Sequence, residues 1–75
     1  MPFIDIKVIE GVFTTEEKRE MVERVSEAVI AVEGEALRLL THTAITETPS
    51  GEWAVGGSAK TADDVKALRS AAAVV

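Results

Sequence analysis

Hydrophobic and polar residues alternate from the first positions of the chain. Ile4, Ile6 and Val8 fall on one side of an extended segment, Asp5 and Lys7 on the other. A period of two predicts a strand over Pro2–Ile9, closed by Gly11. Phe3 and Ile9 share the side of the charges, so that side is expected to meet another subunit rather than water alone. Thr14 then stands three residues before Glu17, the spacing of a capping box, and Glu16 and Glu17 place acids where the helix dipole favours them. Beyond it the period lengthens. Met21, Val25, Ala28, Val29 and Val32 recur at steps of three and four, predicting a helix to about Glu33 with these residues as its core stripe. Gly34 suits the residue past a helix end.

Glu35–Leu39 reads as a connector of about one helical turn. Leu40–Thr48, with its threonines and Ile45, reads as a second strand. Two strands joined by one helix of this length predict a right-handed β-α-β unit with parallel strands. Pro49-Ser50-Gly51 marks a turn, Trp53-Ala54-Val55 a short strand, and Gly56-Gly57 a hairpin. A tail helix opens at Thr61-Ala62-Asp63-Asp64 and carries Val65, Leu68 and the alanines 71–73. It is expected to dock on a neighbour or to fray. The fold class is α+β, in a single domain spanning residues 1–75, with a core over 2–57 and the tail over 58–75.

Composition sharpens this picture. Seventy-five residues make one small domain that buries only about 60–65% of its unfolded surface, yet 47% of them are apolar. Subunit contacts are the expected destination for that excess, so a homo-oligomer is predicted. With no cysteine and one histidine, neither a disulfide framework nor a cysteine- or histidine-rich metal site is expected. Thirteen acidic against eight basic residues, a net charge of −5, disfavour sequence-independent binding to nucleic acid or to an anionic membrane. No apolar run approaches the roughly 18–20 residues of a membrane span, and no basic-then-apolar leader opens the chain, so a cytoplasmic location is expected.

The most informative residue for chemistry is Pro2. Initiator methionine is removed when a small residue follows, which would leave a secondary amine at the chain start. An α-amino group has a pKa of about 7.7–8.0 in the open, and desolvation lowers it. A base poised near neutrality can move a proton between carbon and oxygen. A proline in this place also begins a strand at no cost in hydrogen bonds, and both readings stand on the residue alone.

The run Pro2-Phe3-Ile4-Asp5-Ile6-Lys7-Val8-Ile9-Glu10-Gly11, the capped helix Thr14–Val32 with Val25-Ser26-Glu27-Ala28, then Ile45-Thr46-Glu47 and Gly51-Glu52-Trp53-Ala54-Val55-Gly56-Gly57, resemble the 4-oxalocrotonate tautomerase family in order, spacing and length. The resemblance implies a β-α-β protomer that pairs into four-stranded units and assembles as a trimer of dimers. It also implies a cofactor-free keto–enol tautomerase of small unsaturated or α-keto carboxylic acids, with Pro2 as general base. Trp53 corresponds to an aromatic wall supplied by a neighbouring subunit, and Ile9 and Val55 to apolar pocket residues.

Two departures accompany the likeness. Val12 stands where the family carries an arginine after its Glu-Gly pair, and His42 stands where it carries a second. Those arginines bind substrate carboxylates, so their replacement favours an apolar pocket of Trp53, Ile9, Val12 and Val55 and a monoacid substrate. His42 is then a candidate carboxylate ligand or a strand histidine, and Arg38 a candidate replacement cation or a solvated connector residue. Lys60 and Arg69 could bring charge from the tail, with no position assigned. Thr41 and Thr43 are expected to be structural, and Glu33 and Glu35 to be helix-end surface charge. Gly56-Gly57 lacks the surroundings of a phosphate loop. Two alternatives remain open: a helper subunit of a hetero-oligomer whose partner chain supplies the arginines, or a hydratase, dehalogenase or decarboxylase using Pro2 as an acid.

Overall fold

The computed structural model describes residues 2–74. Strand β1 (Phe3–Ile9) is followed by helix α1 (Thr15–Glu33), a 3-10 turn (Glu35–Leu40) and strand β2 (His42–Thr48). Strands β3 (Trp53–Val55) and β4 (Ser58–Lys60) and helix α2 (Ala62–Val74) complete the chain. β1 and β2 pair in parallel as one two-stranded sheet. β3 and β4 form a second, antiparallel one, with Trp53 opposite Lys60 and Val55 opposite Ser58. Residues 58–60 therefore extend the hairpin instead of beginning the tail, whose helix starts at Ala62.

The chain divides into two compact units. The first holds residues 2–7 and 14–46. Here β1 alternates as its sequence requires, Ile4 and Ile6 half-buried and Phe3, Asp5 and Lys7 exposed. Thr14 caps α1 by accepting from the Glu17 N–H at 3.0 Å, while the Glu17 carboxylate accepts from the Thr14 N–H at 2.9 Å. At the far end Gly34 takes φ 109°, a left-handed value that a side chain would strain, and its N–H closes on the Ile30 carbonyl at 2.9 Å.

The inward stripe of α1 differs from the one expected. Ile30 is 5% exposed and Val32 90% exposed, because residues two apart on a helix point about 200° away from each other. Between Met21 and Val32 the less exposed positions are Met21, Val22, Val25, Ser26, Val29 and Ile30, and Ala28 is exposed. Ser26 is the residue that hides this stripe from a hydrophobic pattern. Its hydroxyl donates to the Val22 carbonyl at 2.5 Å and lies 2.6 Å from the Thr43 hydroxyl of β2, so a polar pair ties helix to strand.

The second unit holds residues 8–13 and those from 47 onward. Its ladder continues with the Glu10 N–H donating to the Thr48 carbonyl at 2.8 Å. Gly56 and Gly57 take φ 58° and 82°, the paired left-handed values of the two-residue turn that matches strand twist. Thr61 and Asp64 cap α2 reciprocally, at 2.9 and 3.2 Å, and the Ala62 N–H donates to the Ser50 hydroxyl at 2.8 Å. The backbone N–H of Thr61, more than its hydroxyl, holds the Asp64 carboxyl below its usual range. Ile9 and Val12 are buried. The tail is helical from Ala62, and its Arg69 guanidinium lies 4.8 Å over the Phe13 ring and donates to the Val12 carbonyl at 3.4 Å.

No described helix is long and apolar enough to cross a membrane.

Candidate active site

Pro2 is half-buried and immediately precedes β1. Its carbonyl accepts the backbone N–H of His42 at 3.1 Å, which fixes the start of β1 against the start of β2. The candidate base and the single histidine, 40 positions apart in the chain, are thereby neighbours. The His42 ring extends to the exposed face of the sheet, where it meets Phe3 with 6.4 Å between ring centroids and 21° between planes. Farther along that face Asp5 pairs with Lys7 at 2.9 Å and accepts from the Thr46 hydroxyl at 2.7 Å. The hydrogen bond from Lys7 first, and that from Thr46 second, hold the Asp5 carboxyl below its usual range.

Arg38 stands elsewhere in this unit. Its guanidinium donates to both oxygens of Glu27, at 2.7 and 3.0 Å, and to both oxygens of Glu35, at 2.5 and 3.2 Å. These hydrogen bonds lower both carboxyls from their ordinary range and raise the guanidinium further above its own. Arg38 thus fastens the 3-10 turn to α1, with two anions already seated on it. Glu35 takes part in this fork and not in an isolated surface charge. Glu33 and Thr41 hydrogen-bond to each other, and the Thr41 hydroxyl also lies 2.9 Å from the Leu37 carbonyl, which bears out a structural role for this threonine.

In the second unit Ile9 and Val12 are buried, Trp53 is half-buried on β3 and Val55 is exposed at the hairpin end. Arg69 brings a cation to the backbone of Val12 and the face of Phe13. No feature of the linear sequence signals that placement, since 57 positions separate Arg69 from Val12. The contact of Phe3 with His42 was equally hidden, because it depends on the register of two strands. Among the described residues no group of three or more histidines and carboxylates converges as a metal site.

The chain matches the family of tautomerase enzymes over residues 2–63. It belongs to the tautomerase family. Solved structures place it beside 4-oxalocrotonate tautomerase and its homologues. It is 33% identical to a 4-oxalocrotonate tautomerase isozyme from Methylibium petroleiphilum, over 85% of this chain and 97% of that one, with a TM-score of 0.69. It is 35% identical to YwhB, a homologue of 4-oxalocrotonate tautomerase, over 84% and 97%, with a TM-score of 0.66. DmpI from Helicobacter pylori is 30% identical over 77% and 94%, with a TM-score of 0.67. No curated protein sequence matches the chain. The tautomerase match opens at Pro2 and closes within the first turn of α2, so Arg69 lies beyond it.

Proposed function

We propose that this tautomerase interconverts the enol and keto forms of a small unsaturated or α-keto carboxylic acid, without a cofactor, with the amine of Pro2 as general base after removal of Met1. The amine takes the enol hydroxyl proton and a proton is returned to carbon, so substrate and product are isomers. What carries the reading is the family match that begins at Pro2, in a chain 33% identical to a 4-oxalocrotonate tautomerase isozyme along nearly the whole of that protein. Trp53, Ile9, Val12 and Val55 supply the apolar wall, with Trp53 coming from a neighbouring subunit in a trimer of dimers, and His42 receives the carboxylate. Arg38 is the weaker candidate for that task, being forked onto Glu27 and Glu35. Monoacids are accordingly favoured over diacids.

The exposure of apolar side chains supports assembly. Val32 and Leu39 are 90% and 91% exposed in the single chain. A helper-subunit reading is favoured by one observation, the absence of an arginine at Val12. The test offers phenylenolpyruvate and 2-hydroxymuconate to the protein after mass spectrometry has verified the loss of Met1, with Pro2→Ala alongside. Monoacid turnover that collapses in Pro2→Ala supports the proposal. No turnover of either acid by a folded hexamer overturns it, and no turnover by a dimer points to a missing partner chain.

A further inference from the structure

Gly11, Val12 and Phe13 follow β1 in the chain and lie outside any strand or helix. The ladder's hold on this segment ends with the Glu10 N–H, which donates to the Thr48 carbonyl. Beyond that bond the segment is held from helix α2. Gly11 takes φ 89°, and a Cβ placed on it would stand 3.7 Å from the Ala62 Cβ, at the start of α2. Farther along the helix the Arg69 guanidinium donates to the Val12 carbonyl at 3.4 Å and covers the Phe13 ring at 4.8 Å. Ala62 and Arg69 are seven positions apart, so they project from the helix within about 20° of each other. Half-buried Val65 shares that side. The inner stripe of α2 is therefore the support on which the segment rests.

Val12 is the residue of this segment that matters to a ligand. Like Ile9 it is only 7% exposed. A valine is stiff about its first side-chain torsion, so the place of its methyl groups follows from the place of its backbone. The backbone of Val12 is fixed at its carbonyl by Arg69.

We propose that Arg69 is a positioning residue, which holds the Gly11–Phe13 segment from α2 and so makes Val12 a rigid part of the wall that receives the apolar end of the acid. This deepens the function proposed above and rests on it for the part of Val12 in that wall. Arg69 lies past residue 63, where the tautomerase match ends, so the tail of this chain takes a share in substrate binding.

The split between KM and kcat separates this role from a merely structural one. A tail that only stabilises the fold changes the amount of active protein, which scales the maximal rate and leaves KM alone. Phenylenolpyruvate turnover would be followed with the mature protein and with Arg69→Met, Arg69→Lys and Phe13→Leu, each checked by circular dichroism and sedimentation. Arg69→Met keeps the apolar stem and loses the cation, and is expected to raise KM about fivefold with kcat within about twofold of wild type. Arg69→Lys retains a donor and a cation over the ring, and should stay within about twofold of wild type in both constants. Phe13→Leu removes the ring and should raise KM about threefold. The dissociation constant of 3-phenylpropanoate, which has no enol, should follow KM in calorimetric titrations.

An unchanged KM in Arg69→Met, a kcat that falls with it, or an Arg69→Lys protein no better than Arg69→Met overturns the proposal. If Arg69→Met does not fold, Phe13→Leu decides by the same criterion. A wild-type protein that turns over no enol, yet binds 3-phenylpropanoate with this dependence on Arg69, would sink the proposed function and leave the positioning role standing. Turnover with a KM indifferent to Arg69 would do the reverse. Neither turnover nor binding overturns both.

Discussion

Arg38 meets Glu27 through two side-by-side hydrogen bonds, Nη1 to Oε1 at 2.7 Å and Nη2 to Oε2 at 3.0 Å, across 11 positions of sequence. The same guanidinium reaches Glu35 through Nε at 2.5 Å. A planar fork can serve two carboxylates in this way and an ammonium cannot. The arrangement joins the surface of α1 to the turn that leads into β2.

The fork makes a small, pH-dependent contribution to stability. Arg38 depresses the carboxyls of Glu27 and Glu35, so the contribution is complete above the ordinary carboxylate range. It is lost as pH falls through the lowered values of the folded protein. Glu27→Gln should lower Tm slightly near neutral pH. The gap to wild type should close in acid and in about 1 M salt, because all three groups are exposed and screened. Thermal melts at several pH values and salt concentrations check this, with Arg38→Lys falling between wild type and Glu27→Gln.

Removing the cap of α1 should cost more. Thr14→Ala deletes the acceptor of the Glu17 N–H and is expected to lose about 1 kcal/mol, while Thr14→Ser should retain most of it. Urea midpoints at one fixed protein concentration give the comparison.

Ile30 and Val32, two positions apart, should respond in opposite ways. Ile30→Ala empties a buried site and is expected to cost about 2–5 kcal/mol. Val32→Asp should leave the helical signal of the chain intact but lower its assembly mass, since each copy would forfeit about 1.5–3 kcal/mol of apolar contact on association. Sedimentation velocity reads the second effect, and an unchanged mass would show that Val32 faces water in the assembly.

A residue left in front of Pro2 should abolish the proposed chemistry. An acylated proline nitrogen has no basicity, so a variant carrying one uncleaved residue there is expected to lose about 10²–10⁴-fold in kcat, the usual share of general base catalysis. The mature protein should show kcat/KM rising with pH as the ammonium gives up its proton. Steady-state kinetics on phenylenolpyruvate with each form, after mass verification, decides it.

The elements themselves were legible wherever local chemistry is decisive. Thr14 with Glu17, Gly34, Gly56-Gly57 and Thr61 with Asp64 each mark an element boundary through a hydrogen bond or a torsion that only neighbouring residues control. The inward face of α1 was less so. A hydrophobic count passes over Ser26, and without it the stripe rotates toward Val32. The family resemblance located Pro2, but neither periodicity nor resemblance placed Phe3 beside His42 or Arg69 beside Val12. Those pairs arise from strand register and helix docking, which bring together residues many positions apart.

The hydrogen bond from the His42 N–H to the Pro2 carbonyl has a consequence for aim. A primary amine at a chain start can spin about its bond to Cα, so its lone pair sweeps a circle. A proline nitrogen is locked into a ring and cannot. Once the preceding residue is gone, a single backbone torsion, ψ of Pro2, separates the lone pair from a carbonyl already held by the second strand. If Pro2 is the base proposed above, the sheet would set its bearing before any substrate arrives, and that orientation would not have to be found again at each encounter.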